Sequence, residues 1–262
     1  MAFDLSDIAV GNRAHKPRLV IYGESGLGKT TFGASAPNAI FICTEDGLGR
    51  LNVPSFPVAK TFEDVMAAIT NLYTQDHDYQ TLVVDSIDWL EPMVWQATCA
   101  AAGKESIESF GYGRGYVEAL TYWRQFFDGI TALRNDRGMN VILIGHSQII
   151  HIEDPLIAAY DSHSLKLHKK AAALVEEWAD VIGFVALKTL TVDEKKASFT
   201  DKDAKRTRAK TTGERQLHVQ PSPAFTAKNR YDLPSPLPLG WAAYCAALDM
   251  PDHDPVLVSV AA

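Results

Sequence analysis

Cysteine is scarce in this chain: Cys43, Cys99 and Cys245 are the only 3 among 262 residues. An odd number, widely spaced and without a C-x-x-C pair, builds neither a disulfide framework nor a structural zinc site, so reduced, buried thiols are expected. Long apolar runs are missing too, none reaching the ~18 residues that a membrane span needs. The opening Met1-Ala2-Phe3-Asp4-Leu5-Ser6-Asp7 lacks the basic stretch of a secretory signal. A cytoplasmic protein without membrane contact is the expectation. Positive charge is in deficit, 25 Lys and Arg against 32 Asp and Glu for a net −7. That excludes a uniformly basic nucleic-acid coat and confines any polyanion site to a local groove. Internal repeats are absent, and 47% hydrophobic with 22% charged residues excludes disordered and fibrous classes. The length suits one domain with a sizeable core.

What is present alternates. Arg18-Leu19-Val20-Ile21-Tyr22, Ala39 to Cys43, Thr81 to Asp85 and Asn140 to Gly145 are short apolar runs of buried-strand type. Phe62 to Tyr73 and Tyr116 to Leu133 instead space their apolar residues by three and four, as amphipathic helices do. Continuous apolar strands separated by helices predict an α/β fold with a mostly parallel sheet covered on both faces, its ligands at the carboxyl ends of the strands. Past Val181 to Leu187 the character changes to a long β-hairpin with a polar tip. Leu233 to Leu239 reads as a stiff proline-rich connector and Trp241 to Leu248 as a short closing helix. The expected organisation is a single domain over 1–262, with an N-terminal segment 1–15, a basic hairpin 188–220, and a connector, helix and tail over 233–262.

Gly23-Glu24-Ser25-Gly26-Leu27-Gly28-Lys29-Thr30 fits G-x-x-x-x-G-K-[ST]. It follows an apolar strand and opens a helix-compatible segment at Thr31, the arrangement that turns backbone N–H groups toward phosphate oxygens. Lys29 is then the residue for the β- and γ-phosphates of ATP and Thr30 a ligand of Mg²⁺. A second magnesium partner is expected at the end of another strand, where Thr81-Leu82-Val83-Val84-Asp85 supplies Asp85. A helix-capping carboxylate would occupy the same position, and Asp88, one turn on, is the less favoured candidate.

Val83-Val84-Asp85-Ser86 resembles the second nucleotide motif of the RecA-like ATPases, and Phe41-Ile42-Cys43-Thr44-Glu45-Asp46 resembles their second strand ending in a catalytic glutamate. The resemblance implies a RecA-like P-loop fold, with Glu45 as general base for the attacking water and Asp46 as its rival. Ile142-Leu143-Ile144-Gly145-His146-Ser147-Gln148 resembles the strand whose polar end senses the γ-phosphate, leaving His146 and Gln148 as alternatives. Ala227-Lys228-Asn229-Arg230-Tyr231-Asp232 is similar to the Lys-Asn-Arg-Phe-Gly motif of the RadA branch, which implies that Lys228 and Arg230 reach a neighbouring subunit's nucleotide; Tyr231-Asp232 departs from Phe-Gly. Taken together, from about Lys16 to Leu248, the chain resembles phage-encoded RecA-like ATPases that act as single-strand annealing recombinases. This implies a Mg²⁺-dependent ATPase stimulated by DNA, working in the host cytoplasm as a homo-oligomer, ring or filament. Its partners would be single-stranded DNA and a single-strand-binding protein.

Three segments are candidates for DNA. Phe110-Gly111-Tyr112-Gly113-Arg114-Gly115-Tyr116 offers stacking planes at Tyr112 and Tyr116 and a phosphate contact at Arg114. Ile149 to Lys170 carries basic residues at its end, weakened by Glu153, Asp154 and Asp161. Lys195 to Arg215, with Lys205, Arg206 and Arg208, has 8 basic residues against 3 acids, 8 − 3 = +5 in an acidic protein. Each of these would otherwise be a solvated loop. Competing functions are a RadA-like branch-migration motor, a P-loop small-molecule kinase, and a nucleotide-gated DNA-binding protein without turnover.

Overall fold

The computed structural model describes residues 16–156, 158–195 and 205–249, with backbone alone at 191–195 and 205–210. Strand β1 (Arg18–Gly23) leads into helix α1 (Lys29–Ala34), followed by β2 (Ala39–Cys43), α2 (Phe62–Thr74), β3 (Thr81–Asp85) and α3 (Ile87–Ala102). A 3₁₀ turn at Ile107–Phe110 precedes α4 (Arg114–Asp136). Then come β4 (Asn140–Ile152), β5 (Tyr160–Leu165), α5 (Lys169–Trp178), the paired β6 (Val181–Lys195) and β7 (Lys205–His218), the short β8 (Lys228–Asn229) and β9 (Leu237–Pro238), and α6 (Trp241–Ala247).

The sheet runs β2-β3-β4-β1-β6-β7-β9, with β5 paired to β4 and β8 to β6. Its first five members are parallel to one another, so this is the α/β fold with a mostly parallel sheet that the apolar runs predict. The pleat divides their side chains. Val20, Tyr22, Ile40, Ile42, Leu82, Val84, Val141 and Leu143 join α2, α3, α4 and α5 in one core, while Leu19, Ile21, Phe41, Val83 and Ile142 face α1 and α6 in the other. Burial on both faces is why the runs are continuously apolar rather than alternating. Helix α2 starts on a capping box in which Thr61 and Asp64 satisfy each other's backbone N–H groups.

Two segments differ from the sequence reading. Beyond Gly145, β4 continues to Ile152 and pairs antiparallel with β5, so much of Ile149 to Lys170 is a ribbon rather than a loop. In the hairpin, β6 and β7 remain paired as far as Lys195 and Lys205, so 205–215, expected in a polar tip, is strand. Residues 196–204 of that tip, the N-terminal segment 1–15 and the tail from 250 lie outside the described residues. All three cysteines are buried, as expected, and among the described residues no helix is long and apolar enough to cross a membrane.

Candidate nucleotide site

Strand β1 ends at Gly23, and the chain turns through Gly26 (φ +78°) and Gly28 (φ +90°) before α1 begins. Side chains with a Cβ rarely take these angles, so the loop's glycines follow from its path. Lys29 is buried and donates from Nζ to the carbonyls of Gly23 (3.0 Å) and Glu24 (2.8 Å). That uses two of its three donors. Thr30 donates from Oγ1 to Asp85 Oδ2 at 2.7 Å, which joins the loop to the end of β3.

The order of strands brings the remaining groups in. β4 lies between β1 and β3, and its residue His146 pairs with Gly23 across the ladder. Asp88, on the first turn of α3, accepts from the His146 backbone N–H at 3.0 Å and contacts its ring Nδ1 at 3.0 Å. The end of β2 is tied to that of β3: Thr44 Oγ1 donates to the Ser86 carbonyl (2.6 Å), and Ser86 Oγ donates to Glu45 Oε1 (3.1 Å). The peptide joining Asp85 to Ser86 is cis. A cavity of about 390 Å³ results, lined by Ser25, Gly26, Gly28, Lys29, Thr30 and Thr31 of the loop and α1, and by Glu45, Gly47, Leu51, Asp85, His146 and Arg215.

Burial sets the electrostatics of the cavity. Burial pulls the Lys29 ammonium below its ordinary value despite Asp85 and Asp88, and burial pushes the Asp85 carboxyl up despite the Thr30 hydrogen bond. A polyphosphate beside Lys29 and a cation beside Asp85 would each restore the charged form that burial disfavours. Among the described residues no cluster of three His, Cys, Asp or Glu could cage a metal. Magnesium is commonly held by one carboxylate, a hydroxyl and phosphate oxygens together. Thr30 and Asp85 would hold it here. The hydrogen bond with Asp88 holds the His146 imidazole above its usual pKa against burial. Burial pushes Asp88 up, but His146 outweighs it and keeps the carboxyl below its usual range.

The sequence candidates fall into two groups. Ser25, Gly26, Gly28, Lys29, Thr30, Thr31, Glu45, Asp85 and His146 meet in one cavity, while Gly23 contributes its carbonyl to Lys29 and Glu24 lines an adjoining hollow with Trp89 and Lys166. Leu27 packs partly into the α1–α6 core. Asp46 is exposed and outside the cavity. Gln148 lines that adjoining hollow, its amide donating to the carbonyls of Leu165 (2.9 Å) and Leu167 (3.1 Å), so of the two sensor candidates only His146 lines the P-loop cavity itself. Asp88 is the partner of His146 and does not line the cavity.

Lys228 and Arg230 lie elsewhere. Lys228 pairs with Ile182 near the start of β6, whereas Gly23 pairs with Val185 further along it. Lys228 Nζ donates to the Glu176 carbonyl at the end of α5, and Arg230 Nη1 meets Asp180 Oδ1 at 3.0 Å. Asp180 is also gripped by Arg18 (2.7 Å) and approached by Arg134 (3.8 Å). Burial pushes Asp180 up, but hydrogen bonds from Arg18 and the surrounding positive charge prevail and hold it below its ordinary range. Asp232 takes φ +52°, a left-handed turn that Asp tolerates.

Of the DNA candidates, Tyr112 is fully exposed at φ +49° and Arg114 is exposed at the start of α4. Tyr116 is not a free plane. It stacks on His168 with ring centroids 3.8 Å apart, meets Trp95 edge-on, and donates its hydroxyl to Glu108. Lys205, Arg206 and Arg208 stand on β7 opposite Lys195, Glu194 and Val192, their side chains outside what is described. Sequence reasoning missed Arg215, which only strand pairing brings to the cavity, and Asp88 as the holder of His146, for which its position one helical turn past Asp85 was the available signal.

A glycine-turned loop with an inward lysine, a threonine–aspartate pair and a glutamate at the rim of one cavity define a P-loop nucleoside triphosphatase. The chain belongs to the AAA domain family, whose model matches residues 15–231. None of the curated proteins compared with it matches. Among solved structures, the crystal structure of the RadB recombinase matches with 14% identity and a TM-score of 0.41, covering 74% of this chain and 87% of that one, a likeness too remote to bear on function.

Proposed function

We propose that this ATPase works as a Mg²⁺-dependent oligomer on single-stranded DNA, pairing or annealing strands during recombination and using hydrolysis to release or reset the assembly. The ATP half of the reading is supported by the shared cavity. When bound with the nucleotide, magnesium supplies charge neutralisation at the phosphate oxygens. Lys29 would bind the phosphates through its ammonium, Thr30 and Asp85 would hold the metal, and Glu45, steadied by Ser86 Oγ, would take the proton of the attacking water. His146, held by Asp88, presents its ring to the terminal phosphate.

The DNA half is carried by one observation, the +5 balance of Lys195 to Arg215 on a hairpin of a protein whose net charge is −7. Such a concentration of cations suits a phosphate backbone. Two complementary labelled oligonucleotides, mixed with the protein and ATP, ADP or no nucleotide, test it, with ATP turnover followed in parallel. Annealing faster than the spontaneous rate and turnover raised by single-stranded DNA are expected. Turnover indifferent to DNA with no oligonucleotide binding at low salt would remove the DNA half, and phosphoryl transfer to an added small acceptor would make the protein a kinase.

A further inference from the structure

Arg215 stands on β7, a strand remote in sequence from the P-loop, and yet lines the same cavity as Lys29, Thr30 and Asp85. Strand alternation puts it there. Leu217, two residues on, is fully buried in the core beneath α1, so Arg215 shares that face of β7 and extends over the loop. Its Nη1 lies only 2.7 Å from where a Cβ on Gly28 would be. The backbone is pinned: Arg215 pairs with Leu187 of β6, its carbonyl accepts from the Leu239 N–H at 3.1 Å, and a register shift begins just beyond, between Leu187 and Thr189. The adjacent acid is engaged elsewhere, Glu214 pairing with Lys188 at 2.8 Å. Among the described residues the Arg215 guanidinium has no hydrogen bond or ion pair. An unpaired guanidinium fixed at its root and laid over a phosphate cradle is suited to bind an anion in fork geometry.

We propose that Arg215 is a triphosphate-binding residue supplied by the same chain, closing the nucleotide against the loop from the hairpin side; the proposal rests on the P-loop reading and assigns it a further ligand. It differs from Lys228 and Arg230, which lie outside this cavity. The guanidinium is exposed, so its replacement leaves the core untouched.

Equilibrium binding of a fluorescent, non-hydrolysable ATP analogue and of fluorescent ADP, with Mg²⁺, tests this on the full chain and on the Arg215→Ala, Arg215→Lys and Lys29→Ala variants. Arg215→Ala should weaken the ATP analogue about ten- to a hundredfold, the span of one or two charge-assisted hydrogen bonds, with Arg215→Lys recovering part of it. Weakening of ADP as well would also support the assignment. Unchanged or tighter binding by Arg215→Ala, alongside parent binding that depends on Lys29, would overturn the role of Arg215 alone. Failure of the parent to bind, or Lys29→Ala binding like the parent, would overturn the P-loop reading and this one with it.

Discussion

At the scale of single residues, the site separates two neighbouring acids that the sequence left as rivals. Glu45 is half-buried at the cavity rim with Ser86 on its carboxylate, whereas Asp46 is exposed outside it. Glu45→Gln should keep nucleotide affinity and lose turnover by about a hundredfold or more, since it removes the base and preserves the shape. Asp46→Asn should turn over like the parent; steady-state rates and binding titrations on the pair decide between them. A third acid carries a stability prediction. Glu91, buried on α3, accepts from the His168 backbone N–H at 3.0 Å, and burial pushes its carboxyl from 4.5 up to about 7. Between those values the unfolded chain ionises while the folded one keeps its proton, so this group's contribution is complete below 4.5 and lost as pH rises through 7. Glu91→Gln keeps the acceptor and removes the charge. Urea midpoints should show it more stable than the parent by about 1–3 kcal/mol at pH 8 and nearly equal to it at pH 4.5; a difference independent of pH would refute the burial argument. Lys29, Thr30 and Asp85 were legible because loop and strand-end chemistry is local in sequence. Arg215 was not, because a β7 side chain reaches the loop only through the pairing of β1 with β6 and of β6 with β7.

At the scale of elements, the central strands and the helices α2 and α4 were readable because burial on both faces, or on one, writes a plain period into the residues. The β4 extension and β5 were not. Their His, Ser, Gln and Asp residues carry no apolar run, and the pairing of Gln148 with Ser164 or His151 with Asp161 is a matter of two strands meeting. The hairpin was readable in kind but not in length. Its cations and the exposed Tyr112 make different predictions about DNA. Replacing Lys205, Arg206 and Arg208 with Ala should weaken single-stranded DNA binding and flatten its salt dependence, each lost phosphate contact lowering the slope by ~0.7. Tyr112→Ala should lower affinity through a lost stacking plane, worth ~1–3 kcal/mol per base, and leave the slope as it was. Titrations at several salt concentrations distinguish them. If both variants bind as the parent does, these segments are solvated surface. Tyr116→Ala is a poorer probe, because it would also remove a ring packed on His168 and Trp95.

At the scale of the whole molecule, the basic residues considered for the nucleotide divide between two places. Lys29, His146 and Arg215 surround the cavity at the carboxyl ends of the strands, while Lys228 and Arg230 sit toward the start of β6 against α5 and Asp180. One chain cannot bring the second set to its own phosphates without unpairing β8, so any role for them in turnover belongs to a neighbour's site. Such a role would need a head-to-tail interface, the kind that closes into rings or runs on into filaments. Turnover per protomer should then rise with protein concentration. Lys29→Ala and Arg230→Ala, each inactive alone, should recover activity when mixed, because a protomer with an intact loop can meet one with an intact arginine. With random mixing in equal amounts about a quarter of the interfaces qualify, which sets the ceiling on recovery. Arg18 still holds Asp180 through two side-chain hydrogen bonds after Arg230 is removed, so an unchanged melting temperature is expected and separates a lost finger from a lost fold. Specific activity that is flat on dilution, with no recovery on mixing, would leave Arg230 as one of the arginines that neutralise Asp180 and the protein as an ATPase complete in a single chain.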